Sequence, residues 1–264
     1  MIEQRSTGRE GSGVELSAET FMTLLDQGVP HDGSEIFDVN ERVVFSSQHV
    51  AQGTEEIWNT LQTQRYNVTI SSTNGVGIED NRFLWLGRDA CVTAETIQVQ
   101  SGSDAPTFLL RSHPLSSRYT VLIDLMGLVA IADTNFVSVD AVKIPAKTWE
   151  SLVVGPDAGR QQQIAQQLAQ RQASELVAQV SPDMADDIRR GFYQQVVVVS
   201  ESPTEQGPTP IATAWMSTPH GYLSFFLQPG RFFGKAHYLE PVDAWMLFMM
   251  ASYQLPRQRM ISTW

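Results

Sequence analysis

An α+β fold is what this sequence predicts, and three observations predict it. An amphipathic helix opens near Ser17, and a strand-rich stretch follows it. A Gln/Ala-rich helical pair then covers about 157–192 and gives way to three short strands. An apolar helix closes the chain after Glu240-Pro241. Each half therefore runs from helical material into several short strands and then into an apolar segment, Leu122–Ile131 in the first and Ala244–Met250 in the second. That shared order predicts a pseudo-duplication of the chain. The expected division is a leader over 1–13 and one domain over 14–264, with pseudo-halves of about 14–150 and 151–264.

Taken in order, Ser17 is a helix N-cap with Phe21, Leu24 and Leu25 at helical spacing behind it, and Gly28 and Pro30 end the helix. A second helix is expected over about 47–63, with Val50, Ile57 and Leu61 on its apolar face and Gly53 as a weak point. Tyr66–Ser71 alternates as a strand does, whereas Ser72–Asn81, rich in Asn and Gly, reads as a mobile loop. The following strands are expected at Phe83–Leu86, Cys91–Val99, Thr107–Arg111 and Phe136–Val142. Tyr119–Ala132 is too long for one ordinary strand; it is either a strand broken at Gly127 or partly a helix docked on the sheet.

In the second half, Gln161–Val180 places Ile164, Leu168, Leu176 and Val180 on one helical face. Ser181-Pro182-Asp183 combines an N-cap, a proline at the first helical position and an acid favoured by the helix dipole. Strands follow at Gln195–Ser200, Ile211–Met216 and Tyr222–Gln228, and the last helix is expected over Pro241–Tyr253.

Composition narrows the function. Of 264 residues, 42% are hydrophobic and 18% charged, ordinary for a folded chain with a real core. With 18 Lys+Arg against 29 Asp+Glu the net charge is −11, which opposes binding to nucleic acid or to anionic membrane. Cys91 is the only cysteine, so there is no intrachain disulfide and no zinc site built on cysteine pairs. The polar stretch Met1–Gly13 has no apolar core of a secretory signal and reads as a disordered leader; the longest apolar run, Ala244–Ala251, is far short of a membrane span. A cytoplasmic location is the expectation.

No motif carries a reaction. His31, His49, His113, His220 and His237 are scattered without a second ligand at helical spacing, no Gly-x-Ser-x-Gly elbow is present, and Gly8–Gly13 lacks the Lys-Ser/Thr of a phosphate loop. Asp186 and Asp187 are adjacent on a helix and point apart. Cys91 reads as a buried strand cysteine unless Arg88 lowers its pKa. Aromatic clusters remain: Phe225-Phe226 and Phe232-Phe233 around Pro229-Gly230, and the Trp/Met-rich last helix. Each is either core or a surface for a protein partner.

The segments "GVELSAETFMTLLDQG", "NERVVFSSQHVAQGTEEIWNTL", the helical pair over 154–192 and the closing run "YQQVVVVSES", "TPIATAWMS", "GYLSFFLQPG", "YLEPVDAWMLFMMAS" resemble, in order and pattern, the EspG-type chaperones of actinobacterial type VII (ESX) secretion. The chain departs from the pattern in its Gln-rich stretch near 161–172 and its tail "RQRMISTW". The resemblance implies an approximate internal two-fold pseudo-symmetry, a central antiparallel β-sheet flanked by helical bundles, no catalysis, no cofactor and no metal. It also implies a partner, a secreted PE–PPE-like helical heterodimer held by its apolar tip, and a chaperone that is a monomer or weak homodimer. By position, the contact residues it implies are Val197, Val199, Ile211, Trp215, Phe226, Phe232, Phe233, Tyr238, Asn74 and Ile78. Two other classes stay open: a virion or assembly protein using the same apolar strands, and a hydrolase with a cryptic site.

Overall fold

The structure, a computed structural model of the chain, describes residues 13–30, 34–46, 48–64, 66–97, 106–129, 138, 140–155, 157–202, 209–229, 235–253 and 255. At 202, 209, 210, 226–229, 235 and 236 it describes the backbone alone. Residues 1–12 of the leader expected over 1–13, Phe232, Phe233 and part of the strand expected at 136–142 lie outside these residues.

The first half runs β1 (Val14–Ser17), α1 (Ala18–Gln27), a small hairpin of β2 (Ile36–Phe37) and β3 (Val43–Phe45), α2 (Glu55–Thr63), β4 (Tyr66–Asn74), β5 (Glu79–Leu86), β6 (Ala90–Ile97), β7 (Thr107–Pro114) and α3 (Arg118–Met126). The second runs β8 (Val142–Ile144), α4 (Ala146–Glu150), α5 (Arg160–Val177), α6 (Pro182–Arg190), β9 (Gln194–Ser202), β10 (Thr209–Thr218), β11 (Gly221–Pro229), β12 (Lys235–Val242) and α7 (Ala244–Ser252). Ten strands form one antiparallel sheet in the order β1-β7-β6-β5-β4-β9-β10-β11-β12-β8. Its middle is the β4–β9 pair. On either side the same plan repeats: an edge strand, helices, a four-strand meander and a closing helix. The repeat begins again at β8, so 142–150 group by topology with the second half rather than the first.

Local chemistry explains the helix ends. Ser17 Oγ accepts from the Thr20 amide at 3.2 Å, Ser181 Oγ from Met184 at 3.3 Å and Asp243 Oδ1 from Met246 at 2.6 Å. Gly127 and Gly191 close α3 and α6 in the left-handed region that glycine tolerates.

Strand register divides the sheet into two faces. One face carries Tyr66, Val68, Ile70, Leu84, Leu86, Cys91, Val196, Val198 and Trp215, and α3 (Leu122, Leu125) and α7 (Leu247, Ala251) cover it. The other face holds two separate cores. Helices α1 and α2 pack Phe21, Ile57 and Trp58 on Trp85, Val92, Phe108 and Leu110, with Phe21 stacked on Phe108 at 4.0 Å. At the far side α5 and α6 pack Ala169, Ala173, Val177, Met184 and Ile188 on Met216, Leu223 and Leu239.

Several expectations change. The region 118–126 is a helix, because its apolar residues Val121, Leu122, Leu125 and Met126 recur at helical spacing and all are buried on the sheet. Helix α2 starts only at Glu55, since Gly53 adopts φ +83° and no helix passes through that conformation. The last helix starts at Ala244; Glu240 and Pro241 lie in β12, opposite Ser224 and Leu223 of β11 and beyond the stretch 237–239 that β8 pairs. Helix α5 buries Ala169, Ala173 and Val177, one stripe at helical spacing, while Ile164 is 49% and Leu168 57% exposed off that stripe.

Candidate functional site

Between the two cores of the second face lies a strip of sheet that no helix among the described residues covers. Ser71, Val197 and Ala214 lie side by side across β4, β9 and β10, as do Thr69, Val199 and Ala212 one step along. None belongs to a core; Ala212 is exposed and the others are half-buried. Strand alternation forces this arrangement: Val196 and Val198 point into the α3–α7 core, so Val197 and Val199 must point to the opposite face.

Aromatic residues bound the strip. Phe83, on β5, packs against the α1–α2 core. On β11, Phe225 is stacked by Trp149 of α4 at 4.2 Å, with His237 next to it at 5.2 Å. From β5 to β11 there are four strand spacings, about 19 Å, over a floor of three strands. A helix with its side chains is about 10–12 Å across, so the strip holds one.

One end of the strip is strapped. The β4–β5 turn is only Gly75-Val76-Gly77-Ile78, for strand pairing continues to Thr73 opposite Glu79. Asn74 Oδ1 accepts from the amides of Val76 (3.1 Å) and Ile78 (2.9 Å), and the Gly75 amide donates to the Tyr193 carbonyl at 3.2 Å. The Gln166 side chain donates to the carbonyls of Gly75 and Leu152, and the Tyr193 hydroxyl donates to Leu152. Gly77, at φ +76°, lies so close to Val154 that a Cβ would stand 2.0 Å from its carbonyl oxygen. The mobile loop expected over Ser72–Asn81 is thus a pinned hairpin; its Asn and Gly residues serve turn geometry rather than freedom.

The expected contact residues do not form one surface. Val197 and Val199 lie on the strip. Register puts Ile211, Trp215 and Tyr238 on the opposite face, and Phe226 is described in its backbone alone. There Ile211 is 53% exposed, Tyr238 is half-buried and Trp215 is 0% exposed inside the core, where it offers no surface to a partner. Asn74 is spent on its own turn, and Ile78 is exposed beside it. Sequence reasoning missed Thr69, Ala212, Ala214 and Trp149; the alternation of small residues along β4 and β10 was the available signal.

The titratable groups are structural in placement. His113 Nε2 lies 3.1 Å from Thr93 Oγ1, and burial, aided by Arg111, holds its pKa below the ordinary histidine value. Burial pushes the Cys91 thiol up to about 12, against the smaller opposing pull of Arg118. Asp186 pairs with Arg189 at 2.6 Å, while Asp187 faces His220. Among the described residues no group of three or more His, Cys, Asp or Glu is placed to hold a metal ion.

Fold and strip together define an α+β protein built around one ten-stranded antiparallel sheet. No protein-family model and no curated protein matches the chain. Among solved structures it is similar to the Mycobacterium tuberculosis type VII secretion system chaperone EspG5, solved in complex with a PE25–PPE41 dimer. Identity is 12% and the TM-score 0.50, over 93% of this chain and 97% of that one. The chain therefore has an EspG-type fold, the antiparallel sheet with flanking helices that the sequence resemblance implied. That neighbour is a secretion chaperone.

Proposed function

We propose that this protein is a cytoplasmic, non-enzymatic chaperone of a type VII secretion system. It holds the apolar tip of a PE–PPE-like helical heterodimer and keeps that dimer soluble until it is handed to the secretion system. The observation that carries the reading is the uncovered strip over β4, β9 and β10, in a chain whose fold is that of a chaperone solved with such a dimer. One helix of the partner lies over Val197, Val199, Ala212 and Ala214, and the Trp149–Phe225 stack flanks it.

Co-expression with PE–PPE pairs encoded beside the gene tests this. A stable complex is expected on gel filtration, lost in Val199→Asp at an unchanged melting temperature. Failure of every such pair to co-purify, or a complex indifferent to Val197→Asp and Val199→Asp, overturns the reading.

A further inference from the structure

The helical layer beside the strip is tied to the sheet at a polar point that the contacts above leave unused. Asp187 lies on α6, 5% exposed, its side chain turned towards the β10–β11 turn. Its Oδ2 lies 2.8 Å from His220 Nδ1 and 3.2 Å from the His220 amide. The same amide reaches Thr218 Oγ1 at 3.3 Å, and that hydroxyl donates to the Gly221 carbonyl at 3.2 Å. The imidazole is itself half open to solvent, with 55% of its side chain exposed. A nearly buried carboxylate therefore has as its partner a group that exchanges protons with the solvent.

We propose that His220 and Asp187 form a proton-operated latch that sets how firmly α6, and with it the helical layer bounding the strip, is held on β10 and β11. The regulatory meaning rests on the chaperone reading of the strip; the latch itself does not.

The charges around it are few. Helix α6 contributes Asp183, Asp186, Asp187, Arg189 and Arg190, of which Asp186 is engaged by Arg189 at 2.6 Å and Arg190 at 3.7 Å. Strands β10 and β11 carry no charged residue, only the phenol of Tyr222. Asp187, by hydrogen bond and charge, raises the His220 pKa above the ordinary 6.5, with a smaller contribution from Asp183 and opposition from Arg190. A raised folded-state value means that the stabilisation is fully present below 6.5 and is lost as pH rises through the folded value. Below that point the bond is N⁺–H···O⁻, an ion pair as well as a hydrogen bond. Above it, a neutral ring still donates from Nδ1 and the amide contact remains. The latch loosens without letting go.

The test is hydrogen exchange at pH 6.0 and 8.5, normalised to intrinsic rates, with an NMR titration of the His220 ring. We expect the ring to titrate above the ordinary histidine value. Protection of the α6 amides should fall several-fold between the two pH values in the wild type and stay constant in His220→Gln, a change at an exposed turn. Strand amides of 196–199 serve as the reference. A ring titrating at or below 6.5 overturns the latch. So does a raised midpoint with unchanged α6 protection, or a pH-dependent loss that persists in His220→Gln. No partner is present in any arm, so failure of the chaperone reading, seen in Val199→Asp, leaves these outcomes standing.

Discussion

Replacing Gly77 by alanine separates backbone strain from a steric contact. Gly77 has φ +76°, and its missing Cβ would lie 2.0 Å from the Val154 carbonyl oxygen and 2.8 Å from the Val154 carbonyl carbon and the Gly155 Cα. Both neighbours are backbone, so relief requires moving the 152–155 strap that Gln166 and Tyr193 hold. The left-handed conformation alone costs an alanine about 1–2 kcal/mol, and forcing extra volume into a closed site adds about 1–3 kcal/mol. Gly127 is the reference: it too is left-handed, at φ +64°, but its nearest neighbour is the end of the Arg82 side chain at 3.9 Å. Gly127→Ala should therefore cost only the conformational part, about 1–2 kcal/mol. Gly77→Ala should cost about 2–5 kcal/mol. Urea denaturation gives the difference directly, and for a chain of this size each kcal/mol lowers the melting temperature by roughly 2–4 °C. Hydrogen exchange should show 152–155 loosened in Gly77→Ala and unchanged in Gly127→Ala. Equal effects of the two variants would mean that the hairpin tip does not press on the strap, and the pinned-turn argument would fall.

Other outcomes follow from burial and face. Trp215→Ala, fully buried, should lose about 3–5 kcal/mol of stability, with Trp215→Phe milder because Nε1 has no partner in the core. Val199→Asp should leave the melting temperature nearly unchanged while costing about 2 kcal/mol or more of partner binding in co-purification and calorimetry. Cys91, buried with its pKa pushed up to about 12, should not react with a thiol reagent at pH 8 until the protein is unfolded. His113→Ala should leave partner binding intact in the same assay.

Much of this protein was legible in order and spacing. Caps and a closing glycine announced α1, and a cap announced the start of α6, since a Ser before the first turn and a Gly after the last satisfy local bonds that need no distant neighbour. The repeat of helices, strands and an apolar helix in each half announced the pseudo-symmetry of the sheet. What no local signal held was the assignment of faces and neighbours. Whether 118–126 is strand or helix depends on the sheet beneath it, and whether Trp215 is anchor or core depends on which side of β10 carries α3 and α7. The turn 75–78 reads as loose in sequence because the groups that pin it, Val154, Gln166 and Tyr193, lie 76 or more residues away along the chain. Likewise His220 and Asp187 are 33 residues apart, and only the packing of α6 on the β10–β11 turn makes them partners. Local backbone chemistry chooses the elements; long-range packing decides which side chains stay buried and which stretch of sheet stays open.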